Sequence, residues 1–164
     1  MGATTALRLA CGLAMSAGLA ASALAAPSRS ARHGDWEVYR DNSEGVCFAV
    51  TRPVDSAPQA FGHGDVYFLV SSWRGGRKAQ PSFHAGYPLS ALRAPVMEVG
   101  PDDFRSYADG NDAFLRDEAE PELIDAMRKG ADMRVEAQTE DGIRAAYEFS
   151  LIGVTAAIRD IEAC

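Results

Sequence analysis

Met133-Arg134-Val135-Glu136-Ala137-Gln138-Thr139, then Glu140-Asp141-Gly142, then Ile143-Arg144-Ala145-Ala146-Tyr147-Glu148-Phe149-Ser150-Leu151, is the stretch that settles the architecture. Met133, Val135, Ala137 and Thr139 alternate on one face of a strand, and Ala145, Tyr147, Phe149 and Leu151 alternate on the next. A two-residue Asp141-Gly142 loop sets Val135 opposite Glu148 and mixes the faces. A three-residue loop, with Gly142 in the left-handed position, aligns them. It also sets Arg134 opposite Glu148 and Gln138 opposite Arg144 on the wet face. The expectation is a bulged antiparallel hairpin with one buried face.

The same period continues outward. Asp35-Trp36-Glu37-Val38-Tyr39-Arg40, the turn residues 41–45 and Val46-Cys47-Phe48-Ala49-Val50-Thr51 read as a second antiparallel pair. Val66-Tyr67-Phe68-Leu69-Val70-Ser71-Ser72-Trp73, apolar almost throughout, predicts a central strand covered on both faces. Residues 74–103 are rich in Gly and Pro, which forbids a long helix and predicts short strands and turns. Phe104-Arg105-Ser106-Tyr107 and Ala113-Phe114-Leu115 flank a turn at residues 109–112. Two short helices are marked, at about 120–129 and 154–162. In the first, Pro121 and three acids open the helix and Arg128-Lys129 close it, with Gly130 placed for a left-handed cap. In the second, Val154, Ala157, Ile158 and Ile161 recur at helical spacing. The fold class read from this pattern is mainly β, an antiparallel β-sandwich or flattened barrel with two short helices at its edge.

With 164 residues, 47% of them apolar and 24% charged, the chain is long enough for one domain with its own core. Sixteen basic residues stand against 23 acidic ones, a formal charge of −7. That excess disfavours nucleic acid as a partner, because phosphates are repelled.

Residues 1–25 stand apart. Arg8 is the one charge in this segment and no acid precedes Asp35, a small or apolar run follows, and Ala23-Leu24-Ala25 matches a signal-peptidase site. The segment reads as a secretory signal peptide cleaved after Ala25, since its Gly, Ser and Ala content is too weakly hydrophobic for an anchor. Residues 26–34 read as a flexible leader and 35–164 as a single β-rich domain, with no membrane span after cleavage. Loss of Arg8 leaves 15 basic residues against 23 acidic, or −8. Two cysteines remain, Cys47 and Cys164, and an even pair in an exported chain predicts a disulfide. Closing so long a loop disfavours the unfolded state by about 4 to 5 kcal/mol in the chain-entropy treatment.

Catalytic signatures are absent: no Gly-x-Ser-x-Gly, no Ser-x-x-Lys and no phosphate-cradling loop. His63, Asp65 and His84 lack the spacing of a zinc site, and residues 109–112 depart from a calcium loop at Ala113 and Phe114. No cofactor or metal is expected. Trp73-Arg74-Gly75-Gly76-Arg77-Lys78 is the most distinctive surface feature, an aromatic and three cations at a strand end in an acidic chain. Trp73, Arg74, Arg77 and Lys78 are therefore candidates for a patch that meets anionic cell-surface groups or an acidic partner. The same charges also serve to protect a strand edge.

A signal peptide, Gly34-Asp35-Trp36-Glu37-Val38, Cys47 in the next strand, Met127-Arg128-Lys129-Gly130-Ala131-Asp132-Met133, and Phe149-Ser150-Leu151-Ile152-Gly153-Val154-Thr155-Ala156-Ala157-Ile158 together resemble the invasion-associated locus B family of exported bacterial proteins. The likeness spans the mature chain and is tightest at its ends. It implies a β-dominated domain in the periplasm or outside the cell, without an established enzymatic activity. Arg40 stands where better-known members commonly carry Cys, so their disulfide scheme does not transfer, and the Cys47–Cys164 pairing is inferred from this chain alone. The leading functional expectation is an exported, non-enzymatic accessory or binding protein, monomeric, with a protein or cell-surface partner. The alternatives are a periplasmic hydrolase-like enzyme with a site in residues 74–103 using His84, and a structural envelope-stress protein.

Overall fold

The computed structural model describes residues 26–164; the signal peptide read at 1–25 lies outside them. Two antiparallel sheets face each other and do not close into a barrel, so the sandwich stands and the flattened-barrel alternative falls. The larger sheet is built from β1 (Ser28–His33), β2 (Trp36–Asp41), β3 (Val46–Thr51), β5 (Tyr67–Trp73), β6 (Gln80–His84), β9 (Tyr107–Asp109) and β10 (Asp112–Phe114), in the order β1-β2-β3-β5-β6-β10-β9. The smaller is built from β4 (Asp55–Ala57), β7 (Val96–Val99), β8 (Asp102–Arg105), β11 (Asp132–Gln138) and β12 (Arg144–Ser150), in the order β4-β12-β11-β7-β8.

The β11–β12 hairpin has the expected register, with Val135 opposite Tyr147, Arg134 opposite Glu148 and Gln138 opposite Arg144. Gly142 takes φ +90° in the three-residue loop. Phe68 and Phe83 of the larger sheet meet Tyr147 and Phe149 of the smaller one, with ring centroids between 5.6 and 6.3 Å apart. These four rings, all fully buried, are the centre of the core. Helix α1 (Glu120–Lys129) packs on β6 and β7, and α2 (Val154–Glu162) packs on β1, β2, β3 and β5; the two helices also touch. Both fall where the periodicity puts them.

Four expectations change. The leader at 26–34 is largely a strand: Ser28–His33 pairs with β2 at the sheet edge, with a bulge between Arg29 and Ala31. An edge strand with only Ala31 and His33 half-buried carries little apolar alternation, and it is held by backbone hydrogen bonds and the Arg29–Glu37 ion pair. β5 is central, yet only its Phe68/Val70/Ser72 side enters the core; Tyr67 and Leu69 are half-buried on the outer face. The run at 104–107 is split between sheets, since Phe104 lies in β8 while Tyr107 opens β9 after a crossing at Ser106. Gly130 is extended (φ −80°, ψ 164°), not left-handed. Its lack of a side chain serves packing, because a Cβ there would lie 2.6 Å from Val99 Cγ1.

The chain ends are bound to each other. Gly34 (φ +55°) and Gly153 (φ +94°) pass back to back, and a Cβ on Gly153 would stand 2.0 Å from the His33 carbonyl oxygen. Beside them the Asp35 amide donates to the Ile152 carbonyl at 3.1 Å and the Trp36 indole donates to the Ser150 carbonyl at 3.0 Å. Cys164, just beyond α2, is bonded to the buried Cys47 of β3 with a Cα–Cα distance of 6.0 Å. The left-handed backbone and the missing space act together at Gly153. Gly153→Ala should therefore lower unfolding stability by about 3 kcal/mol or more, read as a shifted urea midpoint; a change within about 0.5 kcal/mol would contradict this crossing.

Candidate functional site

The β5–β6 connection carries the tip picked out by sequence. The Trp73 amide donates to the Arg77 carbonyl at 2.8 Å and closes the loop, while the Arg74 amide donates to the Gly45 carbonyl at 2.8 Å and docks it on the β2–β3 turn. Ala79 then adopts a left-handed φ of +51°, its amide bonded to the Ser72 hydroxyl at 2.9 Å. This strained residue turns the chain into β6. The four candidates do not act alike. Arg77 reaches back to α1, bonding Glu120 at 2.9 Å and also Asp117; Glu120 is otherwise nearly buried and takes a second donor from Gln80. Its charge is consumed by the fold, and both carboxylates hold the guanidinium in its ionised form. Arg74 and Lys78 have no acidic partner among the described residues, and Trp73 keeps 37% of its surface in water. The patch is thus one aromatic and two cations.

His84, the candidate of the enzymatic alternative, has its Nδ1 2.7 Å from Asp112 Oδ1 and stacks on Tyr67 with a centroid distance of 4.5 Å. All three lie on the outer face of the larger sheet, in register across β10, β6 and β5. His63 is drawn elsewhere. Its Nε2 lies 3.1 Å from the Pro58 carbonyl and its Nδ1 lies 2.8 Å from the Tyr147 hydroxyl, which in turn is 2.9 Å from the Tyr87 hydroxyl. A carbonyl only accepts, so in the neutral ring Nε2–H donates to Pro58, Tyr147 donates to Nδ1 and Tyr87 donates to Tyr147. Burial raises the pKa of both tyrosines, Tyr147 most. The chain of bonds bolts the 58–65 loop onto the core and leaves these groups no chemistry of their own. Among the described residues no three His, Cys, Asp or Glu side chains gather closely enough to hold a metal ion.

A concavity of about 570 Å³ lies where sequence reading offered no candidate: the outer face of the smaller sheet. Two rows of residues across the strands line it, and a third row, of which only Arg134 lines it, continues the same sheet face beyond it. The first contains Arg93 from the loop before β7, Gln138 and Arg144; the Ser90 amide ties that loop to the Gln138 carbonyl at 2.8 Å. The second is Val96, Glu136, Ala146 and Ala57, whose two alanines form the floor. The third is Asp103, Glu98, Arg134, Glu148 and Asp55. Arg134 bonds Glu148 at 2.7 Å and lies 3.2 Å from Glu136 and 3.7 Å from Glu98, so one cation is shared among several acids. Arg93 and Arg144 have no acidic partner among the described residues. Only the Gln138–Arg144 and Arg134–Glu148 pairings of this face were readable from the hairpin; the other strands come from distant parts of the chain. His84 lines neither this concavity nor three smaller ones among the described residues.

Comparison with known proteins finds no matching family model, no matching curated protein and no matching solved structure.

Desolvation, followed by the charges of Glu136 and Asp103, raises the Glu98 pKa. An acid with a raised pKa binds its proton more tightly folded than unfolded, so its ionised form weakens the fold above that pKa and the penalty lifts as pH falls. Glu98→Gln should therefore raise the urea midpoint near about pH 7, with the gain fading towards about pH 4. A lowered midpoint at neutral pH would contradict this electrostatic picture.

Proposed function

We propose that this chain is an exported, non-enzymatic accessory or binding protein of the bacterial envelope, acting in the periplasm or outside the cell through its open surface. The observation that carries the reading is the Cys47–Cys164 bridge, which joins a core strand to the end of the last helix. Such bonds persist in oxidising compartments and are rare in the cytosol. Among the described residues no helix is long and apolar enough to cross a membrane. The resemblance to the invasion-associated locus B family belongs to the same proposal, and its motif residues Gly34, Trp36 and Gly153 have structural work at the chain crossing.

The contact surface offered is the β5–β6 tip, where Trp73 lies beside the unpaired Arg74 and Lys78. Opposite charge and a half-exposed indole suit an anionic cell surface or an acidic partner. The hydrolase-like alternative rests on the His84–Asp112 pair, which has the base-and-orienter geometry of a catalytic dyad. An open sheet face lacks the walls that exclude water and hold a substrate, which favours binding over catalysis. A purely structural envelope role needs no site and gains no specific support.

Arg74→Ala with Lys78→Ala should keep the melting temperature and weaken binding to anionic cell surfaces at least about threefold, measured by co-sedimentation at low salt. Arg77→Ala should instead destabilise by about 1 to 2 kcal/mol, less than for a fully buried pair because Arg77 keeps 39% of its side chain in water. Unchanged binding by the double variant removes the tip as the contact surface.

A further inference from the structure

We infer that the groove on the outer face of the smaller sheet is a binding site for an extended peptide segment of a partner protein, with an acidic side chain at one end and a basic one four residues away. The inference rests on the reading of the protein as a binding module, but not on the β5–β6 tip.

Charge complementarity selects this occupant. At one end of the groove Arg93 and Arg144 flank Gln138 without an acidic partner among the described residues. Just past the other end, where Arg134 lines the groove, the next row of the same face holds Glu98 and Glu148 beside Arg134 and Asp55 beyond Glu148, and one guanidinium does not balance them. The two ends carry opposite net charge, a pattern that a purely anionic or purely cationic ligand matches at one end only. Between them the floor is Ala146 and Ala57, small residues that leave room for a backbone to lie close, with Glu136 beside Ala146 and held by Arg134. Val96 and Ala94 on one side and Pro58 on the other confine it along the direction of β11 and β12.

Strand geometry sets the length. Arg144 and Glu148 are four residues apart on one strand face, about 13 Å. An extended peptide over the floor points alternate side chains down, so its residues one, three and five face the sheet. The first meets Arg93 and Arg144, the third must be small above Ala146, and the fifth meets the acidic end. The recognised pattern is therefore acidic–x–small–x–basic, read in either chain direction. Both pairs sit at the surface, so selectivity comes from charge spacing more than from affinity.

The test is a nitrogen-15 NMR titration of the oxidised protein with acetyl-Glu-Ser-Ala-Ser-Lys-amide and its scrambled isomer acetyl-Ser-Glu-Lys-Ala-Ser-amide. Saturable shifts are expected at the amides of Ala57, Arg144 and Ala146, with the scrambled peptide at least about fivefold weaker. Arg93→Glu with Arg144→Glu should weaken the first peptide at least about tenfold. Ala146→Phe fills the floor without changing charge and should abolish the shifts while leaving the melting temperature in place. Equal affinity for both peptides, shifts that survive Ala146→Phe, or no saturable shift at about 10 mM peptide would each overturn the groove. Such failure leaves the wider reading intact if the unmodified protein still binds cell surfaces through Arg74 and Lys78; loss of both retires the binding function itself.

Discussion

Everything in this molecule hangs on a place where two backbones pass with no room for a side chain. Gly34 closes the β1–β2 turn and Gly153 opens α2, each in a left-handed conformation, and a side chain on Gly34 would strike Ile152 while one on Gly153 would strike His33. That approach lets the Asp35 amide and Trp36 indole reach the carbonyls of Ile152 and Ser150 at the end of β12. It links the first hairpin of one sheet to the last strand of the other, some 115 residues on. From this anchor α2 runs along the inner side of β2 and β3 until Cys164 meets Cys47. The His33–Asp160 contact at 2.7 Å ties the same helix to the edge strand. The bridge therefore seals a closure that packing has already made.

A core filled this way leaves little interior for chemistry. The aromatic quartet fills the space between the sheets, and the polar cluster of Tyr147 with Tyr87 and His63 spends its hydrogen bonds on a loop. What can meet another molecule lies outside: the Trp73 tip, the His84–Asp112 pair and the Arg93–Arg144 groove. Each is an open surface built on strands, so its geometry is rigid although its walls are low. Rigid placement with low walls suits recognition of a partner better than stabilisation of a transition state.

What could be read from sequence was what depends on neighbours along the chain. The register of β11 and β12 follows from matching two alternating faces across Gly142, and both helices follow from spacing and end charges. The bridge followed from having two cysteines in a chain read as exported. What escaped depends on long-range partners. β1 has little alternation because only Ala31 and His33 are half-buried and the rest of the strand is in water. Arg77 looked like a free surface charge, yet its acids sit about 40 residues away on α1 and just before it. Gly130 looked like a cap and is instead a gap for Val99. The groove draws Arg93, Arg144 and Ala57 from three segments that only the sheet order brings together.

The central proposal, that the β-sandwich is finished by oxidation beyond the inner membrane, is tested most directly by intact mass and thiol titration of protein recovered from the cell envelope. The account predicts a chain starting near Ala26, two mass units lighter than its reduced form, with no titratable thiol before denaturation or after it. Full-length protein in the cytosol with Cys47 and Cys164 both free would contradict it.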